Sequence, residues 1–274
     1  EIAGSNMNKN LFSSIDDEDN KGFASMIGFN KKIKIDSTSN IYSKLDLKYI
    51  DKNFETIERI FSPEFERDWG YEANSFNGQN QTLANASFGF RKSNLGSFDY
   101  TLESLKLGTL FSGQKNILRV NLSEINNLEF ISSTSIMASS NIGIDSEFVR
   151  SYNSLVLDYK KIWAELGYEY EKKESNGQII TNSADFANKL FKIKTGFGNK
   201  EKTFVEIGYK KKINDSLVVD ILNEVNNYDS YFVNSQIINN KKSKLNVYLN
   251  FNRLKSYVND NGEEYLNTRI IQRQ

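Results

Sequence analysis

The chain has 274 residues, 35 Lys plus Arg against 35 Asp plus Glu, and neither cysteine nor histidine. That balance sets up no global field for nucleic acid or an anionic surface. The missing residue types exclude disulfides, thiolate or imidazole metal sites, and Ser-His or Cys-His nucleophilic pairs, leaving carboxylate, Lys or Tyr chemistry.

Hydrophobic residues make up 38% and mean hydropathy is −0.56, with no run approaching a transmembrane helix. A strand that shows lipid one residue in two would average to the same value. Nineteen Phe and 14 Tyr against the single Pro63 suit long paired strands separated by polar turns. The chain opens on Glu1 without a signal-peptide core, as expected of a mature chain or an excised segment.

In chain order, the first feature is the acidic run Asp16-Asp17-Glu18-Asp19-Asn20-Lys21-Gly22. Clustered oxygen ligands suit a hard cation, and Asp16, Asp17 and Asp19 would form a loose calcium loop. The spacing fails the EF-hand pattern, and a solvated turn is the ordinary reading. A strand is predicted at Gly22–Ile33. Ile41–Tyr49 alternates with period two, setting Ile41, Leu45, Leu47 and Tyr49 against Tyr42, Lys44, Asp46 and Lys48.

The long polar stretch Asn53–Gln81 contains Glu64-Phe65-Glu66-Arg67-Asp68-Trp69, the most distinctive motif of the chain. If extended, it places Glu64, Glu66 and Asp68 on one face, where neighbouring carboxylates can serve as an acid/base pair. The ordinary reading is a structured motif loop in which Arg67 pairs with an acid and Trp69 anchors by packing.

Strands follow at Thr82–Arg91, Phe98–Leu107, Asn116–Ser123, Leu128–Ala138 and Tyr152–Lys160. The pattern is clearest in Ile162–Glu171, which sets Ile162, Ala164, Leu166, Tyr168 and Tyr170 against Trp163, Glu165, Gly167, Glu169 and Glu171. After the polar stretch Glu174–Ala184 come Lys189–Phe197, Thr203–Lys210, Ser216–Val225, Ser230–Ile238, Leu245–Asn252 and Tyr265–Gln272, with a shorter polar stretch at Asn259–Glu264. Hairpin turns are predicted at Ser93–Gly96, Gly198–Glu201, Ile213–Ser216 and Asn239–Lys242. Gly89, Gly167, Gly196 and Gly208 fall inside strands, as bends or points of close approach. The basic runs Lys31-Lys32, Lys210-Lys211-Lys212 and Lys241-Lys242 are placed at strand ends, either as solvated turns or as phosphate or lipopolysaccharide contacts.

These elements define a single all-β domain over residues 1–274, an antiparallel up-and-down meander of about 12 or more strands, as a whole transmembrane β-barrel or part of a larger one. Strands of roughly eight to eleven residues suit a tilted bilayer crossing. Tyr42, Tyr49, Trp163, Tyr170, Tyr209, Tyr228 and Tyr231 lie near segment ends, as an interfacial girdle would.

The runs Ser5-Asn6-Met7-Asn8-Lys9-Asn10-Leu11-Phe12-Ser13-Ser14 and Asp16 to Ala24 resemble a segment of large outer-membrane barrels of bacteroidete-type bacteria. Tyr49-Ile50-Asp51-Lys52-Asn53-Phe54, Ile57-Glu58-Arg59 and Glu64 to Gly70 share the resemblance, which covers about the first quarter of the chain. The nearest family is the gliding-motility barrel that serves as the type 9 secretion translocon. The resemblance implies protein transport across the bacterial outer membrane. Ile271-Gln272-Arg273-Gln274 departs from the aromatic ending usual in barrels, so either the chain continues or it is no membrane barrel.

The expectation is therefore a non-enzymatic outer-membrane barrel without a cofactor, acting as an export conduit, another pore or a scaffold. Its partners would be membrane lipid, exported proteins and other envelope proteins, not nucleic acid. The alternatives are a soluble or surface-attached β-sheet binding module and a carboxylate-dependent enzyme centred on Glu64, Glu66 or Asp68.

Overall fold

A computed structural model describes residues 1–8, 20–56, 65–71, 78–125, 127–177, 185–218, 221–239, 243–256 and 263–273. Among these residues all strands belong to one sheet, and each pairs antiparallel with its neighbour in the chain. In order they are β1 (Ile2–Asn6), β2 (Lys21–Lys34), β3 (Ser39–Ile50), β4 (Gln81–Lys92), β5 (Gly96–Leu107), β6 (Phe111–Ile125) and β7 (Leu128–Asn141). There follow β8 (Ile144–Tyr159), β9 (Ile162–Gly177), β10 (Phe186–Gly198), β11 (Phe204–Val218), β12 (Ile221–Asn239), β13 (Lys244–Ser256) and β14 (Glu263–Arg273). Among the described residues one five-residue helix, α1 (Phe65–Trp69), interrupts the meander between β3 and β4.

The alternation read from the sequence is the alternation of the sheet. Because paired residues share a face, register carries each side of the sheet from strand to strand. One face runs Phe29, Leu45, Ala86 and Leu102 across β2 to β5. Further along it runs Leu155, Leu166, Ile193, Tyr209, Tyr231 and Phe251 across β8 to β13. The opposite face runs Asp46, Asn85, Glu103 and Lys115 across β3 to β6. There Glu165, Lys194, Gly208 and Phe232 continue it across β9 to β12.

The apolar face is open. Ile27 is 71% exposed, Leu45 54%, Leu166 51% and Ile207 52%. Among the described residues, substantial contact between strands is confined to neighbours in the chain, so no second sheet stacks on the first. A β-sandwich would seal these side chains between layers. Pairing joining β14 to β1 is absent among the described residues.

Antiparallel succession sends alternate connections to opposite ends of the sheet. The strand ends joined by residues 35–38, 93–95, 126–127, 160–161, 199–203 and 240–243 lie at one end; those joined by 7–20, 51–80, 108–110, 142–143, 178–185, 219–220 and 257–262 lie at the other. The strand ends that the long connections join thus share one end. The predicted turn at Ser93–Gly96 uses Asn94 at φ 68° and Gly96 at φ 132°, the left-handed backbone that these residue types tolerate.

Several boundaries differ from the sequence reading. Strands β2 to β14 run from 11 to 19 residues, longer than predicted, and β1 went unpredicted. Ile213–Ser216 is not a hairpin turn but lies inside β11, with a register shift at Asn214/Asp215. Flanking strands β10 and β12 keep the ladder going there, and Lys189 takes up the Asp215 carboxylate at 3.1 Å. The predicted strand Ser216–Val225 consequently straddles the β11–β12 connection. Lys210-Lys211-Lys212 sits in mid-strand, not at a strand end.

In the connection from β2 to β3, Asp36 Oδ1 accepts from Thr38 N at 2.6 Å, Thr38 Oγ1 at 2.8 Å and Ser39 N at 2.7 Å. Hydrogen bonds from the Thr38 backbone above all hold its carboxyl down at a pKa of about 2. A carboxyl depressed below its unfolded value contributes stability that is full above the ordinary carboxylate range and fades as pH falls through about 2. A carboxyl-carbon NMR titration of Asp36 is expected to show its midpoint near pH 2; a midpoint near 4 would show that this turn does not form.

Candidate functional site

The polar face carries the chemistry of the molecule, and a segment of the long β3–β4 connection folds onto it. In a helix, residues four apart stack on one side, so α1 presents Phe65 and Trp69 together, with ring centroids 6.2 Å apart. This helical turn replaces the predicted extended conformation over Phe65–Trp69, so Glu66 and Asp68 do not share one strand face. Glu64 lies outside the described residues, while Glu66 and Arg67 are placed in the helix backbone.

Trp69 is 1% exposed and packs in a cluster with Leu105, Leu107, Phe111, Met137 and Phe148. Phe65 and Tyr71 close the cluster from above; Tyr71 meets Phe111 at 5.2 Å and Phe65 at 6.5 Å. The indole lies over Gly113, where an added Cβ would come within 2.9 Å of the ring. Lys115, two residues along β6, sets its ammonium 4.6 Å from the indole centroid and 3.6 Å from Glu103. Asp68, one residue before Trp69, faces Arg150 of β8 at 3.4 Å; Arg150 also donates to Glu171 of β9 at 2.9 Å. Beneath α1 remains a recess of about 300 Å³ between Asp68, Asn85, Glu103, Lys115 and Arg119.

A second cluster on the same face spans β9 to β11. Glu165 receives Lys192 at 2.6 Å and Lys194 at 3.1 Å, and Lys194 also reaches Glu206 at 3.2 Å. Trp163 donates its indole N–H to Glu206 at 2.9 Å, lying across Gly196, which stands between them in the register. A Cβ at Gly196 would overlap that indole, as one at Gly208 would overlap the Phe232 ring and one at Gly89 the Tyr42 ring. Three of the four strand glycines singled out in sequence are therefore seats for polar-face aromatics.

This arrangement corrects the predicted girdle. Tyr42, Trp163 and Tyr228 belong to the polar face, whereas Tyr49, Tyr170, Tyr209 and Tyr231 belong to the apolar one. Tyr209 and Tyr231 pack at 4.9 Å, and Tyr231 meets Phe251 at 6.2 Å, making an aromatic row over β11 to β13.

The calcium reading at Asp16, Asp17 and Asp19 falls outside the described residues. Among the described residues no group of three or more acidic side chains is arranged to hold a metal ion. The carboxylates brought together, Asp68 with Glu171 and Glu165 with Glu206, each meet a cation directly. Chemically, the arrangement suits a fixed, hydrated, mixed-charge surface with one anchored segment on it.

Arg150, Glu171, Lys115 and Gly113 were not legible as site residues. Arg150 precedes the predicted start of its strand, and the rest acquire meaning only through register. Comparison with protein-family models, curated proteins and solved structures finds no match. The geometry stands alone.

Proposed function

We propose that the chain forms the wall of a bacterial outer-membrane β-barrel, non-enzymatic, with its apolar face toward lipid and its polar face toward a hydrated lumen. One observation carries this reading: the apolar side chains of a 14-stranded sheet stand open, with no second layer over them among the described residues. In water that surface would drive aggregation; in a bilayer it is the lipid contact. Strands β2 to β14 reach or exceed the nine to eleven residues or so that a tilted crossing needs. The gathering at one end of the strand ends that long connections join supports the same reading.

Within such a barrel, α1 and its neighbours would narrow the lumen from one end. The role that follows is a conduit for exported protein, in line with the sequence resemblance to the type 9 secretion translocon, or another pore or scaffold for envelope proteins.

Purification with and without detergent tests the membrane reading. The folded chain should be monodisperse only in micelles and should enter phosphatidylcholine vesicles. A folded monomer in plain buffer would refute it in favour of a soluble β-sheet module. Reconstitution in a planar bilayer then separates pore from scaffold: step conductance marks the pore.

A further inference from the structure

On the apolar face, two hollows meet across β7 to β13. One, of about 600 Å³, is lined by Thr195, Ile207 and Val233 and by the neighbouring row of Tyr209, Tyr231 and Phe251. The other, of about 470 Å³, lies between Leu155, Leu166, Tyr168 and Phe191; both are bordered by Ile193 and Tyr209. The cause is local. Small or branched side chains fill one row of the register while aromatic rings fill the next, on the side of the long connections.

One step further toward that end, the register on this face reads Phe191, Lys211, Asp229 and Arg253. The Asp229 carboxylate accepts the Tyr209 hydroxyl at 2.5 Å. Arg253 has partners of its own, but Lys211 has no hydrogen-bond or ion-pair partner among the described residues. An unpartnered ammonium thus stands one step beyond an aromatic row that borders an apolar trough.

We propose that this trough is a specific lipid seat: an acyl chain of an anionic phospholipid lies alongside Tyr209 and Tyr231, and its phosphate meets Lys211. The inference rests on the membrane reading given above. Inside a bilayer, burying hydrocarbon gives no general preference, because lipid tails are as apolar as the wall. Selectivity comes instead from the shape of the trough and from the cation one step beyond the aromatic row, where Lys211, Asp229 and Arg253 interrupt the apolar run of this face and an anionic lipid is favoured.

Native mass spectrometry of the micellar protein, with equal phosphatidylglycerol and phosphatidylcholine, reads this directly. Wild type should retain phosphatidylglycerol at least about fivefold over phosphatidylcholine. Lys211→Gln should bring the ratio to about twofold or below. Lys106→Gln, which removes an exposed cation of the same face on β5, away from the trough, should leave it unchanged. Val233→Trp, or Thr195→Phe should the first not fold, should lower retention of both lipids by filling the hollow. No preference in wild type, an unaltered ratio in Lys211→Gln, or an equal drop in Lys106→Gln would each overturn the lipid seat. These results require a protein that needs micelles; one that stays monomeric in buffer fails at the membrane reading instead.

Discussion

Replacing Trp69 with alanine is expected to lower the unfolding free energy by about 3–5 kcal/mol, the range for deleting a buried large aromatic. Trp69 is 1% exposed, and it fills the space over Gly113 among Leu105, Met137 and Phe65. The ion pair beside it cannot take over. Arg150 and Asp68 are each about one third exposed and stand 3.4 Å apart, a geometry worth about 1 kcal/mol at most. Packing therefore anchors this segment, and charge aligns it. Urea unfolding in micelles measures the loss, with circular dichroism reporting on the strands. A change below about 0.5 kcal/mol, as for an ordinary surface site, would mean the segment is not held on the polar face. If the chain is a pore, the same substitution should also raise step conductance by freeing the segment from the lumen.

Leu166→Arg separates lipid from water on the other face. Leu166 is 51% exposed and lies midway along the apolar row of β9, between Ala164 and Tyr168. For a sheet bathed in water, the substitution should shift stability by no more than about 0.5 kcal/mol and should improve solubility. Against lipid, an arginine near the middle of the apolar band costs about 2–4 kcal/mol. The expected result is the larger loss, read from unfolding of protein folded into phosphatidylcholine vesicles. A neutral outcome there would place Leu166 away from hydrocarbon.

The fold was legible because strand alternation is a local property. Ile162–Glu171 announces its two faces whatever its neighbours are, and β9 has those faces. Turn chemistry was legible where backbone needs are strict, as at Asn94 and Gly96. It misled at Ile213–Ser216, because Asn, Asp and Ser also sit in a strand when neighbours hold the ladder and a cation meets the carboxylate. The motif from Phe65 to Trp69 stood out by composition, yet its conformation did not follow. Alternation offers it two extended faces, whereas a distant cluster made by β5 to β8 rewards the helix that stacks Phe65 on Trp69.

By itself, the sequence determined an antiparallel meander with one apolar and one polar side, since period-two patterning acts residue by residue and needs no partner. Tertiary structure decided which aromatics face which way, that Trp163 lies across Gly196 to reach Glu206, and that Arg150 meets Asp68 across 82 positions of chain. Those contacts depend on register between strands, and register is a property of pairs.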